Sequence, residues 1–149
     1  MTAPFYAAGL RWSCRRCSDC CRHDSGYVFL SQHDADQLAE FLALPFTQFI
    51  QVYCRWVAWN GEIELLSLKE TSNNDCFFWK DGCQVYDARP AQCRTYPFWK
   101  GLLTDETAWN EAAASCSGIG KGTLHSQKEI ESCLEIEDHE TPLARRMYN

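Results

Sequence analysis

Positive charge is in short supply in this chain. Fourteen lysines and arginines face 20 aspartates and glutamates, for a formal net charge of −6, which argues against a general binder of nucleic acid or of anionic membrane. No run of about eighteen apolar residues occurs, so no membrane span is expected. The opening residues, from Met1 to Trp12, lack both a basic stretch and a long apolar stretch. No secretory signal is therefore expected, and the compartment read from the sequence is the cytoplasm. No repeat, low-complexity tract or linker breaks the 149 residues. One domain over 1–149 is expected, with its motifs in 14–122 and a C-terminal helix and tail in 123–149. No serine–histidine–aspartate set and no pair of catalytic carboxylates can be assembled, so no catalytic residue is named. Gly118, Gly120 and Gly122 superficially resemble a phosphate loop, but they follow no strand and end in no lysine–serine or lysine–threonine pair, so nucleotide binding is rejected.

Cysteine, by contrast, is abundant, with ten in all. In a secreted chain they would read as a disulfide framework; in a reducing cytosol clustered thiols read as metal or redox chemistry. Four fall within eight residues, Cys14-Arg15-Arg16-Cys17-Ser18-Asp19-Cys20-Cys21. Thiols that close make poor staples for a fold, but their thiolates converge well on a metal. Two-residue gaps let both sulfurs meet one ion, as in zinc knuckles and bacterial ferredoxins. Neighbouring side chains on extended backbone point to opposite faces, so Cys20 and Cys21 would serve different metals or different sides of one polynuclear centre.

The local patterns give an α+β chain of short helices and hairpins, rich in loops. Phe5, Tyr6, Leu10 and Trp12 are expected to pack against the body. Tyr27 to Leu30 reads as a short strand. Ser31 with Asp34 forms a capping-box start for a helix over 32–43, and Pro45 separates it from a second helix over 46–53. Asn60-Gly61 between two apolar stretches reads as a hairpin with a type I′ turn. Residues 76–79 and 83–86 form a second hairpin. Arg89-Pro90 opens a helical turn carrying Cys93 and Arg94, with Asp87 as its cap. Thr104-Asp105-Glu106 reads as a cap for a helix through Trp109 to about Ala114. Residues 116–122 read as a glycine-rich loop, 126–135 as a last helix, and 138–149 as a polar tail.

Further ligands are expected from Cys76, Cys83, Cys93 and Cys116, each at a turn or element end; the bland alternative is that some are ordinary buried cysteines. Cys54 and Cys133 sit inside amphipathic patterns and read as core. His23 is a weaker candidate ligand, and His33, His125 and His139 read as solvent-facing. The glycines after Cys116 would let backbone amides approach cluster sulfurs.

Cys14-x2-Cys17-x2-Cys20-Cys21 resembles the opening motif of the YkgJ-type cysteine-cluster proteins, described as zinc- or iron-chelating. The stretch from Cys76 through Cys83-Gln84-Val85-Tyr86-Asp87-Ala88-Arg89-Pro90 to Cys93-Arg94-Thr95-Tyr96-Pro97 resembles their second block. Ser115-Cys116-Ser117-Gly118-Ile119-Gly120-Lys121-Gly122 resembles the third, with Ser117 where proline is expected. The resemblance implies eight metal ligands: Cys14, Cys17, Cys20, Cys21, Cys76, Cys83, Cys93 and Cys116. Flagellin lysine N-methylase carries a similar motif, usually in a longer chain.

Thiolates accept zinc and iron–sulfur clusters alike. The favoured expectation is an iron–sulfur cluster, of the four-iron type, beside a possible second metal. Its role would be redox, metal handling or accessory, with a protein redox or substrate partner. The alternatives are a zinc-stabilised structural or interaction module without catalysis, and an accessory related to a protein-lysine methylase. Aromatic residues crowd the ligands, from Phe77, Phe78 and Trp79 to Tyr86, Tyr96, Phe98 and Trp99; they would exclude water from a centre, or simply form the core. Arg89 and Arg94 are expected to offset thiolate charge through hydrogen bonds to sulfur.

Overall fold

A computed structural model describes residues 3–14, 27–71, 75–80, 83–114 and 116–147. It is α+β, built from short helices and small antiparallel sheets. The chain forms two compact units. Met1–Cys20 and Thr95–His139 make the first; Cys21–Arg94 and Glu140–Asn149 make the second.

The second unit is organised by a hairpin. Strands β2 (Cys54–Ala58) and β3 (Ile63–Leu68) pair with Cys54 opposite Leu68 and Trp56 opposite Leu66. Period-two alternation turns Cys54, Leu66 and Leu68 to one face, where they are buried. That face packs with α1 (Gln32–Phe41) and α2 (Phe46–Tyr53), whose Leu38 and Phe49 are fully buried in the same cluster. The strand expected over 27–30 is reduced to one bridge, Phe29 with Ser67, flanked by hydrogen bonds from Leu30 N to Leu66 O and from Leu68 N to Val28 O.

The predicted capping box on α1 is present. Ser31 Oγ accepts from Asp34 N at 3.0 Å, and Asp34 Oδ2 accepts from Ser31 N at 3.2 Å. Asp34 does more than the sequence announced. Its Oδ1 accepts from Ala91 N at 3.0 Å, at the start of α3 (Ala91–Thr95). The cap on α3 therefore comes from Asp34, 57 residues away, while Asp87 lies in the 3₁₀ turn Tyr86–Ala88.

Three local expectations change here. Asn60-Gly61 does not make a type I′ turn, because Gly61 is not among the residues at positive φ. Instead Asn60 Oδ1 accepts from Glu62 N and Ile63 N, at 2.7 and 2.9 Å, so a side chain shapes a longer turn. The tail is not free either: β5 (Ala144–Arg146) pairs antiparallel with β3, and Arg145 Nε donates to Glu64 Oε1 at 3.0 Å. Among the described residues the second hairpin is reduced to the bridge of Trp79 with Cys83 and the hydrogen bond from Gln84 N to Phe78 O, while Cys76 bridges to Glu70.

The first unit is built on a pairing between strands over a hundred residues apart. β1 (Leu10–Trp12) runs antiparallel to β4 (Ile119–His125). The expected glycine loop is thus half strand. Its core gathers Tyr6, Phe98, Leu103, Trp109, Ile119 and Ile130, with Phe5, Leu10 and Trp12 packed against it as expected. Helix α4 (Glu106–Ala112) starts at the predicted cap, where Asp105 Oδ1 accepts from Ala108 N at 2.8 Å. Helix α5 (Gln127–His139) begins as predicted, with Ser126 Oγ accepting from Glu129 N, but it continues four residues further.

Candidate metal centre

Cys17, Cys20, Cys21 and His23 lie outside the described residues. Among the described candidates, Cys14 and Cys116 belong to the first unit, and Cys76, Cys83 and Cys93 to the second. No disulfide is drawn among the described cysteines.

In the first unit, tertiary structure brings the ends of two distant motifs together. Ser13, next to Cys14 in the chain, donates from its backbone N to Gly118 O at 3.4 Å. Its hydroxyl accepts from Thr123 N at 2.9 Å. Gly118 has no room for a side chain, since a Cβ there would sit 2.1 Å from Ser13 O. Gly122, at φ +85°, would place one 2.2 Å from Ser13 Oγ. These two glycines were expected to admit backbone amides to sulfur; what they admit is Ser13, while Gly120 faces open space. Cys14 is exposed, and Cys116 is buried with only 8% of its surface accessible. Trp12 Nε1 donates to Cys116 Sγ at 3.4 Å.

His125 is the residue that sequence reasoning misplaced. It is not solvent-facing: Nε2 lies 2.8 Å from Trp12 O and Nδ1 lies 3.1 Å from Glu129 Oε2. The carbonyl can only accept, so Nε2 carries the proton in that contact. The ring also packs on Phe98, with centroids 5.2 Å apart. Only its alternation along β4 could have hinted at this, and glycines at 118, 120 and 122 hide that alternation.

In the second unit, Cys76 and Cys83 are partly buried against the core cluster, each in one of the isolated bridges. Cys93 lies in α3 and is half-buried, with its N–H donating to Pro90 O. Arg89 Nε donates to Tyr86 O at 2.9 Å, and its guanidinium lies 3.8 Å over the Tyr86 ring. Arg94 is exposed and donates from Nε to Arg89 O at 3.1 Å. Of the aromatic residues near the motifs, Phe78 and Phe98 are core, whereas Phe77 is 40% exposed.

Cys54 is buried in the core of the second unit, and Cys133 packs half-buried against that of the first. Burial pushes the Cys54 thiol up to about 12, partly offset by Lys69. A thiol that reluctant to ionise suits packing rather than ligation. His33, Asp34 and Glu140 also cluster, with ligand atoms within 4.8 Å. Both Asp34 oxygens already serve backbone N–H groups, so this group is a capping device beside a contact of His33 Nδ1 with Glu140 Oε1 at 3.4 Å.

With this geometry in view, the comparison with protein families is decisive. The model of the CxxCxxCC family, described as "Putative zinc- or iron-chelating domain", matches residues 13–117. The chain belongs to this family. Metal binding through clustered cysteines is accordingly its family character. The matched span opens at Ser13 and closes just beyond Cys116, the two stretches that the β1–β4 pairing holds together. No solved structure matches the chain. Among the described residues no helix is long and apolar enough to cross a membrane.

Proposed function

We propose that Cys14, Cys17, Cys20, Cys21, Cys76, Cys83, Cys93 and Cys116 are the metal ligands, and that they hold an iron–sulfur cluster, with a second metal beside it, in a reducing cytoplasm. The observation that carries this reading is the family match across 13–117. The docking of Ser13 on Gly118 and Thr123 supports it, because it draws the first and third motifs into one neighbourhood. The donor set fits soft, thiophilic metals, and all-sulfur ligation is common to iron–sulfur clusters and structural zinc. Once bound, the centre would supply electron transfer or a Lewis-acid anchor. The protein's own contribution would be to hold the sulfurs, keep water off them and offset their charge, with Arg89 and Arg94 as candidates for the last task.

The experiment is anaerobic purification followed by metal and acid-labile sulfide analysis and a visible spectrum. A brown protein with broad absorption and sulfide supports the cluster. A colourless protein with stoichiometric zinc overturns it in favour of a zinc-stabilised module, the reading that the word zinc in the family description keeps alive. Cys17→Ser should strip metal and unfold the chain where the centre is structural. Retention of both metal and fold would remove this loop from the ligand set. A role beside a redox partner or a modifying enzyme is the accessory reading, and co-purification under anaerobic conditions tests it.

A further inference from the structure

We infer that Trp12 is a built-in hydrogen-bond donor to the Cys116 thiolate, tuning the sulfur that it touches when metal is bound; this rests on the reading of Cys116 as a ligand. An indole has one polar group, an N–H that can only donate, and when it is sheltered from water it takes a partner. Here the partner is sulfur: Trp12 Nε1 lies 3.4 Å from Cys116 Sγ. A neutral thiol is a weak acceptor, whereas a thiolate makes the bond charge-assisted. The donor is therefore matched to the charged form that a metal stabilises.

The surroundings hold the indole in place. Its backbone is locked in β1 by pairing with β4 and by His125 Nε2 donating to Trp12 O at 2.8 Å. Its ring sits edge-on to Phe98 at 6.1 Å. Cys116 is fixed in turn, with its N–H on Ala112 O at 3.1 Å and its carbonyl accepting from Ile119 N at 3.2 Å. Both backbones are thus anchored, which presents the indole N–H and the sulfur to one another before any metal binds. Hydrogen bonds to ligating sulfur withdraw electron density from it, and they are among the factors that set the electronic properties of thiolate-bound metals.

The test uses cobalt(II), added to the metal-free full chain under anaerobic conditions, with the thiolate-to-metal charge-transfer band as readout. Trp12→Phe should keep the cobalt stoichiometry but move the band to lower energy, because a sulfur without its hydrogen bond gives up electrons more readily. Phe98→Leu loosens the same aromatic cluster but keeps the donor, and should leave the band in place. Should Trp12→Phe not fold, replacing Trp12 with benzothienylalanine keeps the ring shape and deletes only the N–H, with the same shift expected. Cys116→Ser tests the underlying reading separately and should lower cobalt stoichiometry and band intensity. A band unmoved by loss of the indole N–H, with Cys116→Ser still losing intensity, overturns the inference and leaves the ligand assignment standing. Undiminished band and stoichiometry in Cys116→Ser removes the ligand assignment, and the inference with it.

Discussion

Three glycines in one short stretch offer a graded test of how the first and third motifs are joined. Gly120 has φ +85° and open space around it, so Gly120→Ala meets backbone strain alone; that costs about 1–2 kcal/mol. Gly122 has the same φ, and a Cβ there would also lie 2.2 Å from Ser13 Oγ and 2.5 Å from its Cβ. Gly122→Ala should therefore cost roughly 2–5 kcal/mol, combining strain with overpacking. Gly118 is not at positive φ, but its Cβ would fall 2.1 Å from the Ser13 carbonyl oxygen. Gly118→Ala should cost about 1–3 kcal/mol or more, since two backbones must part.

A second substitution separates the two clashes. Ser13→Gly removes the side chain that opposes Gly122 but not the carbonyl that opposes Gly118. In a double-mutant cycle by urea denaturation, Ser13→Gly should recover about 1–3 kcal/mol of the Gly122→Ala loss and none of the Gly118→Ala loss. Equal recovery in both, or in neither, would refute the docking of Ser13 on this strand. Metal content of the same variants carries the result to the site: Gly118→Ala should lose metal and Gly120→Ala should keep it.

Removing Asp34 should be felt at two helices. Asp34→Ala leaves the Ser31 and Ala91 N–H groups without their carboxylate partner, and a loss of about 2–4 kcal/mol is expected by chemical denaturation. Cys54 makes stability depend on alkaline pH. Its thiol is held at about 12 by burial, against 9.0 for the ordinary group. The folded chain thus keeps a proton that the unfolded chain releases, and the stabilisation present below pH 9 is lost as pH rises toward 12, by up to about 4 kcal/mol. Cys54→Val should flatten the difference between denaturation curves at pH 8 and pH 10.5; an unchanged pH dependence would place Cys54 in water. Stripping metal with a chelator should lower the thermal midpoint, by the equivalent of about 2.7 kcal/mol where free metal had stood at a hundred times its Kd. Differential scanning calorimetry before and after chelation reads this directly.

Much of the secondary structure needed no tertiary information. Ser31 and Asp34 are three residues apart and meet as soon as a helix starts. Leu38 and Phe49 repeat at helical spacing within their own helices, and the alternation of β3 turns Leu66 and Leu68 inward whatever lies beyond. The crowding of Cys14, Cys17, Cys20 and Cys21 is likewise a local fact, and family membership followed from it. The failures share a different cause. The pairing of β1 with β4, the docking of β5 on β3, the reach of Asp34 to Ala91 and the aim of Trp12 at Cys116 all join residues far apart in the chain. No local pattern encodes such a contact, because its partner's position is set by how the intervening elements pack. Gly118 and Gly122 looked like loop residues for that reason: glycine weakens a strand pattern, and only the close approach of Ser13 shows why nothing larger fits. Spacing and composition alone thus determined most of the local elements and the crowding of thiols that marks the family. Which distant residues meet that chemistry was decided by packing, since hydrogen bonds and excluded volume act between neighbours in space.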